Sequence, residues 1–286
     1  MTALIAERPV DSTTHRQWKA RLDLGFEYRN ERTTLVRRSH KGPLYVQKPF
    51  YPEGQGVCHT YLLHPPAGIA GGDELTISVT VDSSAHALVT TPAATKFYRV
   101  NPQAGSLKQD LQVQGDAILE WLPQENIVFD GSDALISTRV HLQKNARLIA
   151  WDSLGLARPA CDELFQGGRC RQRFELWKDD KPLFIDAMDV VAGKALQKGS
   201  WGLAGLPANG LMLVYPATTG MRDTINGLIS ENSERLCSAS LVDEVLVIRS
   251  LSQDMEALQR AMRVFWQVLR PQLLEKKACP PRVWNT

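Results

Sequence analysis

Asp116-Ala117-Ile118-Leu119-Glu120-Trp121-Leu122-Pro123 is the stretch that decides the fold, because two other segments of the chain look like it. Ala85-His86-Ala87-Leu88-Val89-Thr90-Thr91-Pro92 precedes it by about thirty residues, and Asn145-Ala146-Arg147-Leu148-Ile149-Ala150-Trp151-Asp152 follows at a similar interval. Each holds a short apolar run next to turn-forming residues, which is typical of a buried strand. Copies at this spacing suit stacked layers of strands, as in a β-solenoid or a sandwich wound like one. With only three weak copies, a chance likeness is the alternative.

The sequence on both sides of these segments is also rich in predicted strands. Residues 18–29 alternate apolar and polar side chains along their whole length, which predicts a half-buried strand. Further strands are predicted at Leu44–Lys48, Thr60–Leu63, Leu75–Val81, Ala87–Thr91, Leu107–Val113, Ala117–Leu122, Leu135–Leu142 and Arg147–Trp151.

The last third of the chain combines strands with helical patterns. Strands are predicted at Leu211–Tyr215, Leu236–Leu241 and Val245–Ser250. Apolar residues at helical spacing predict two helices, the first through Met221, Ile225, Leu228 and Ile229 and the second through Met255, Leu258, Met262, Phe265 and Leu269. We expect the second helix to stop at Pro271, because proline lacks the amide that continues a helix.

Together these patterns predict a mainly β fold, a two-layered β-sheet structure with solenoid-like winding and a small α+β part at its C-terminal end. We predict a mobile N-terminal arm at residues 1–16 and a single domain at residues 17–286. Within that domain, β-rich layers are expected at residues 17–205, and the α+β part, with about two helices, at residues 206–286.

Composition points to a globular protein of a reducing compartment. The 286 residues carry a formal net charge of +2, which gives no electrostatic argument for nucleic acid or an anionic membrane. The five cysteines are odd in number and scattered, so a disulfide framework is not expected. Residues 1–16 lack the apolar core of a secretory signal, and no run approaches the roughly 18 apolar residues of a membrane span. We therefore expect a cytoplasmic protein that binds neither nucleic acid nor membranes.

Motifs for catalysis are missing from the sequence. Ala192-Gly193-Lys194-Ala195 lacks the upstream glycine and the hydroxyl residue of a phosphate-binding loop, and no G-x-S-x-G nucleophile motif occurs. Neighbouring acids such as Asp73 and Glu74 face opposite ways on a strand and cannot serve one reacting bond together. The sequence therefore gives no support for an enzyme, although distant residues could still converge.

Residues 58–75 gather a thiol, two imidazoles and two carboxylates around a Pro-Pro and Gly-Gly loop. The potential metal ligands are Cys58, His59, His64, Asp73 and Glu74. Neither Cys-x-x-Cys nor His-x-x-x-His spacing is present, so an elaborate turn between two strands explains the segment as well as a metal site does.

Two further acids stand out by their position after apolar runs. Asp152 follows Leu148-Ile149-Ala150-Trp151, and Asp186 follows Pro182-Leu183-Phe184-Ile185. Either each acid lies near the interior, where a carboxylate needs a partner, a metal or a proton, or it caps a strand end.

Many short motifs follow one another in order from about Trp18 to Trp284. They are Gly42-Pro43-Leu44, Gln47-Lys48-Pro49-Phe50-Tyr51-Pro52-Glu53, Cys58-His59, Tyr61-Leu62-Leu63-His64-Pro65-Pro66, Gly71-Gly72-Asp73, Thr90-Thr91-Pro92, Thr95-Lys96-Phe97-Tyr98-Arg99, Glu120-Trp121-Leu122-Pro123-Gln124, Trp151-Asp152, Gly155, Arg158-Pro159 and Leu269-Arg270-Pro271. In this order they resemble the urease accessory proteins called UreD, or UreH in some organisms.

The resemblance implies a non-enzymatic chaperone of urease maturation. Members of the family act as a scaffold that binds urease apoprotein and the accessory proteins UreF and UreG, of which UreG is the GTPase that delivers nickel. The resemblance also implies that the UreD-type protein offers Ni²⁺ a passage to the urease site, so no cofactor is expected to stay bound and Ni²⁺ is expected in transit.

The same resemblance suggests that polar residues matching Asp73, Glu74, Asp152 and Asp186 line the passage. A conduit favours carboxylate and water ligands over thiolate, because nickel on several thiolates would be held too tightly to move on. His59 and His64 are then expected at the mouth or in support, and Cys58 ranks below the acids.

Two other functions fit the same sequence. The protein could bridge its partners without nickel entering it, or it could be a β-solenoid hydrolase, which would need two carboxylates about 5 to 10 Å apart in an open cleft.

Overall fold

The structure is a computed structural model, and it describes residues 17–66, 68–99, 103–231 and 236–285. The predicted mobile arm at residues 1–16 lies outside the described residues. Within these ranges, no helix has both the length and the apolar character needed to cross a membrane.

Strands dominate the described residues, and helices are few. In chain order the strands are β1 (Lys19–Arg29), β2 (Arg32–Lys41), β3 (Tyr45–Val46), β4 (Val57–Leu63), β5 (Ile69–Ala70), β6 (Glu74–Val81), β7 (His86–Thr90), β8 (Thr95–Tyr98), β9 (Gly105–Val113), β10 (Ile118–Leu122), β11 (Asn126–Val128), β12 (Asp133–Leu142), β13 (Arg147–Leu156), β14 (Arg169–Lys178), β15 (Lys181–Val191), β16 (Ala208–Tyr215), β17 (Leu236–Val242) and β18 (Val245–Ser252). The helices are α1 (Ala195–Lys198), α2 (Thr219–Ser230) and α3 (Met255–Leu274), with short 3₁₀ turns at Pro159–Cys161 and Arg282–Asn285.

Two sheets pack face to face. Sheet I has the strand order β15-β14-β12-β9-β6-β1-β2. Sheet II has the order β17-β18-β16-β13-β10-β7-β4-β3, and the short strands β5, β8 and β11 join it beside β13. The mainly β, two-layered prediction is confirmed.

The chain winds between the two sheets like a solenoid. It runs through β4, β7, β10 and β13 in sheet II and through β6, β9, β12 and β14 in sheet I, crossing from one sheet to the other at each step. Neighbours within each of these two sets pair in parallel. Ile118 of β10 lies opposite both His86 of β7 and Arg147 of β13, so the three similar segments occupy equivalent positions in successive coils.

Sheet II is buried on both faces, which explains the unbroken apolar runs of its central strands. In β10, Leu119 and Trp121 face the core between the sheets, while Ile118 and Leu122 face a second core under α2 and α3. Sheet I covers only one core, so its strands alternate. In β6, for example, the predicted apolar face is buried and the residues between it are more exposed.

The C-terminal part contains two helices, α2 and α3, as predicted, but Pro271 does not stop the second one. Helix α3 begins after Asp254, whose carboxylate accepts hydrogen bonds from two backbone amides of the first turn, and continues to Leu274. Proline this close to the end removes one amide donor from the last turn, and the buried Arg270 and Leu273 hold that turn in place. The helix ends at Glu275, which adopts a left-handed conformation.

Other strand boundaries also differ from the prediction. The strand expected at Leu44–Lys48 is limited to Tyr45–Val46, and β13 extends to Leu156 rather than ending at Trp151. Asp152 and Asp186 both lie within strands, in β13 and β15, so neither caps a strand end.

Candidate functional site

Asp152 lies in the core between the two sheets. Its neighbours Ala150 and Leu154 belong to that core, whereas Trp151 packs toward the helices, so the alternation of β13 points Asp152 at sheet I. Only 4% of the residue is exposed. One carboxylate oxygen, Oδ1, accepts a hydrogen bond of 3.0 Å from Asn126 Nδ2.

The other oxygen of Asp152, Oδ2, is buried and has no hydrogen-bond partner among the described residues. Burial raises the pKa of Asp152 to about 6, partly offset by the side-chain amides of Gln172 and Asn126, and the negative charge of Asp186 raises it further. Within the described part of the chain, Oδ2 therefore lacks the hydrogen-bond donor that would offset its burial.

Asp186 lies at the edge of sheet I and is half-buried. Its carboxylate accepts a hydrogen bond of 2.7 Å from Arg249 Nη2. Arg249 belongs to β18, so this ion pair joins the two sheets at the end of the interface between them. The charge of Asp186 is near enough to raise the pKa of Asp152, although burial has the larger effect.

Two cavities are lined by neighbours of Asp152, although Asp152 itself lines neither. The first has a volume of about 260 Å³ and is lined by Asn126 and His64, together with the apolar side chains Leu62 and Leu107. The second, of about 610 Å³, is lined by Asp186, Arg249, Asn209 and Trp201.

Asn126 lines the first cavity and donates to Asp152, and Asp186 lines the second. We call the side chains of Asn126, Asp152 and Asp186 the polar row. The same core also holds Gln109 and Thr138, which are buried and hydrogen-bonded to each other at 2.7 Å.

His64 lies on the wall of the first cavity. Its Nε2 is buried without a hydrogen-bond partner among the described residues. Burial lowers the pKa of His64, although the nearby charge of Asp73 acts in the opposite direction. A neutral imidazole with a free nitrogen at a cavity wall can accept a proton or contact a cation.

Asp73 and Glu74 have different surroundings from Asp152. Both oxygens of Asp73 accept hydrogen bonds from backbone amides, Oδ1 from Trp18 at 2.9 Å and Oδ2 from Ala70 at 3.0 Å. Glu74 begins β6 with an exposed side chain and pairs with Lys19 at 3.4 Å. In the structure Asp73 therefore stabilises a turn by accepting from two backbone amides, and Glu74 lies at the surface.

Cys58 and His59 are buried in β4. Burial raises the pKa of the Cys58 thiol, so it stays protonated at neutral pH. His59 Nε2 lies 2.7 Å from Glu53 Oε1, and its Nδ1 has no hydrogen-bond partner among the described residues. His59 is therefore tied to a carboxylate, on a different part of the fold from the polar row.

A buried charge network surrounds Arg270 of α3. Its Nε donates to both oxygens of Glu120 at 3.1 and 3.0 Å, and its Nη2 donates to both oxygens of Glu53 at 2.8 and 2.9 Å. Glu120 also accepts from Trp266 Nε1 at 2.7 Å and contacts His86 Nε2 at 2.7 Å. Burial alone would raise the pKa of Glu120, but His86 and Arg270 outweigh it and lower that pKa to about 2.

Sequence reasoning did not single out this network, although Glu53, Glu120 and Arg270 lie in motifs that carried the family resemblance. A glutamate between the apolar residues of β10 and an arginine next to the buried stripe of α3 were the available signals. The network anchors α3 to sheet II, and we assign it a structural role.

In the described part of the chain, no three His, Cys, Asp or Glu side chains are grouped so that they could hold a metal ion together. A cation in the polar row would therefore contact one carboxylate at a time rather than a preformed set of several ligands.

Comparison with known proteins defines the class to which this fold and site belong. Residues 19–285 match the family described as UreD urease accessory protein. The chain is 44% identical over 281 residues to the urease accessory protein UreD of Citrobacter koseri, covering 97% of this chain and 96% of that protein. It is 42% identical over 269 residues to UreD of Klebsiella aerogenes and 40% identical over 293 residues to UreD of Aliivibrio fischeri, with at least 94% of each chain covered.

The chain is thus a urease accessory protein. It belongs to the UreD family, and this membership gives it a role in urease maturation.

Proposed function

We propose that the protein is a non-enzymatic scaffold that joins apo-urease to UreF-type and UreG-type accessory proteins and lets Ni²⁺ pass through its interior toward the urease active site. The observation that carries the passage is Asp152, a buried carboxylate with one oxygen unpaired among the described residues. Its hydrogen-bond partner Asn126 lines one cavity, and its charged neighbour Asp186 lines the other.

The chemistry of the row suits an ion in transit. Carboxylate oxygens and water bind a divalent cation but exchange it more readily than a set of thiolates does. With a pKa raised to about 6, Asp152 is mostly ionised at neutral pH, and its free oxygen attracts a cation. Conduction needs attraction strong enough for the ion to enter and weak enough for it to leave, and single carboxylates in succession meet both needs.

Asp186 would serve as the next contact along the row. Its pairing with Arg249 reduces its net charge, so an ion reaching it would compete with the guanidinium rather than fall into a deep site. His64, on the wall of the first cavity, would supply a neutral ligand. The cysteines contribute little, because burial keeps the Cys58 thiol protonated.

The two alternatives are less well supported by the same geometry. A purely bridging protein has no use for an under-bonded buried carboxylate, which costs stability. A hydrolase needs a pair of carboxylates in an open cleft, whereas Asp152 is buried and Asp186 is engaged by an arginine.

The test is co-expression of the chain with apo-urease and the other accessory proteins. Asp152→Asn retains the size and the oxygen that faces Asn126 but removes the charge, and Asp152→Ala removes the side chain. We expect both variants to lower the nickel content per urease active site while the complex still elutes as one species in size exclusion.

Glu74→Gln is the matched control, because it removes a carboxylate from the exposed surface. Normal nickel loading with Asp152→Ala would refute the passage through Asp152 and leave the bridging function. Loss of the complex with Asp152→Asn, but not with Glu74→Gln, would show instead that Asp152 acts only through stability.

A further inference from the structure

Strand β17 forms one edge of sheet II and carries neither charge nor proline. Its sequence is Leu236-Cys237-Ser238-Ala239-Ser240-Leu241-Val242, and among the described strands it pairs only with β18. Unpaired N–H and C=O groups on such an edge recruit another strand unless charges, prolines, bulges or short length prevent it.

The other sheet edges have these protections. In sheet I, β2 carries three arginines and one lysine, and its pairing with β1 has a register shift at Gly25 and Phe26. The other edge strand of sheet I, β15, contains Lys181, Pro182 and two aspartates. The remaining edges of sheet II, β3 and β5, have two residues each. Of the described edge strands, β17 is the one that is both long and unprotected.

Hydrogen bonding shows which groups of β17 face outward. The carbonyl oxygen of Ala239 accepts a 3.3 Å hydrogen bond from the side chain of Asn226 in α2, so it points away from β18. Because antiparallel residues alternate in this respect, Cys237 and Leu241 also turn their N–H and C=O groups to the open edge. The side chains of Ser238 and Ser240 are exposed, on the strand face opposite α2.

We propose that the β17 edge is a self-association site, where β17 of a second copy of this chain pairs antiparallel about a two-fold axis through Ala239. Such an axis sets residue 238 opposite residue 240 of the second copy and residue 237 opposite residue 241. The outward groups of Cys237, Ala239 and Leu241 then form three hydrogen-bonded pairs of two bonds each, about six main-chain bonds. Two of these bonds, one to the Ala239 carbonyl of each copy, replace the long contact between Asn226 and Ala239 within that copy.

The argument for a second copy, rather than another strand, is that β17 is complementary to itself. In this register Leu236 faces Val242, Cys237 faces Leu241 and Ala239 faces Ala239, all apolar with apolar, while Ser238 faces Ser240. A two-fold interface requires this self-matching, since the same patch serves both partners. Cross-strand pairs matched in this way stabilise a sheet, and no charge is left opposite another.

The decisive variants place charges at the serine positions. Ser238→Lys with Ser240→Lys sets lysine against lysine twice across the axis, whereas Ser238→Lys with Ser240→Glu sets lysine against glutamate twice. Both pairs of substitutions lie on an exposed strand face, so the fold of each protomer is expected to survive. Equal thermal denaturation midpoints for the three proteins, measured at a concentration at which all are monomeric, would verify this.

Sedimentation equilibrium of the purified full chain measures the outcome. We expect a dimer for the wild-type protein, a dimer dissociation constant raised at least roughly tenfold in the double-lysine variant, and one within about threefold of wild type in the lysine–glutamate variant. A wild-type chain that stays monomeric at high micromolar concentration overturns the proposal, and so does an unchanged dimer in the double-lysine variant. Equal weakening in both variants overturns the two-fold register.

Discussion

Replacing Asp152 with asparagine isolates the free energy that the buried charge costs the fold. The pKa of this carboxyl is raised from 3.8 to about 6, a difference of about 2 units, and each unit corresponds to about 1.4 kcal/mol. Above pH 6 the carboxylate is charged in both the folded and the unfolded chain, so the folded state carries a penalty of about 3 kcal/mol. Asparagine has no charge to bury, and its amide can still accept from Asn126.

The pH dependence gives this prediction its sign. Below pH 3.8 the carboxyl is protonated in both states and the penalty disappears, and between pH 3.8 and pH 6 it grows as protons leave the unfolded chain first. Asp152→Asn should therefore be more stable than wild type by about 3 kcal/mol at pH 8 and by about half of that at pH 5.

Urea unfolding followed by tryptophan fluorescence at the two pH values measures the difference, with the slope of each transition compared to verify that the same surface is exposed. Glu74→Gln should leave the free energy of unfolding within a few tenths of a kcal/mol, because an exposed ion pair contributes little. The reasoning would be refuted by a difference independent of pH, or by an asparagine variant less stable than wild type at pH 8.

Three further predictions concern other buried groups. Glu120→Gln leaves one side of the fully buried Arg270 without its carboxylate, and it should lower the free energy of unfolding by about 3 to 5 kcal/mol in the same urea assay. Asp73→Asn should lower the free energy of unfolding by about 1 to 2 kcal/mol, because one of two backbone amides loses its acceptor. It should leave the nickel content per assembled urease unchanged. Reduced nickel in an intact complex would place Asp73 on the passage. The exposed thiol of Cys161 should react with a chromogenic disulfide in the native protein. Cys170 should react only on unfolding, since burial strongly raises its pKa. Labelling of Cys170 before unfolding would contradict the packing.

The sequence predicts the central coils well, because their signal is local. Strands β7, β10 and β13 are covered on both faces, so their apolar runs stand out and repeat. The strands β14 and β15 were not predicted. In β14, arginines on the solvent side alternate with buried residues such as Cys170 and Phe174, and the many charges conceal the pattern.

The candidate site was predictable in part. An acid directly after an apolar run indicated burial for Asp152, and the structure confirms that burial. The partners of these acids were not predictable, since Arg249 approaches from another sheet and nothing local marks the meeting. The same holds for Glu120 and Arg270, which are 150 residues apart.

The distance between those two residues also affects how the chain is made. Glu53 and Glu120 leave the ribosome long before Arg270. Until then, among the described residues, only His59 and His86 contact these carboxylates, and the guanidinium that pairs with both, together with the helix that covers them, is absent. The helix-facing side of sheet II therefore stays exposed to solvent, and accessible to chaperones that bind nascent chains, until α3 has been synthesised. Closure of this side is thus a late event in biogenesis, and a ribosome stalled before residue 270 would display a solenoid that is wound but not sealed.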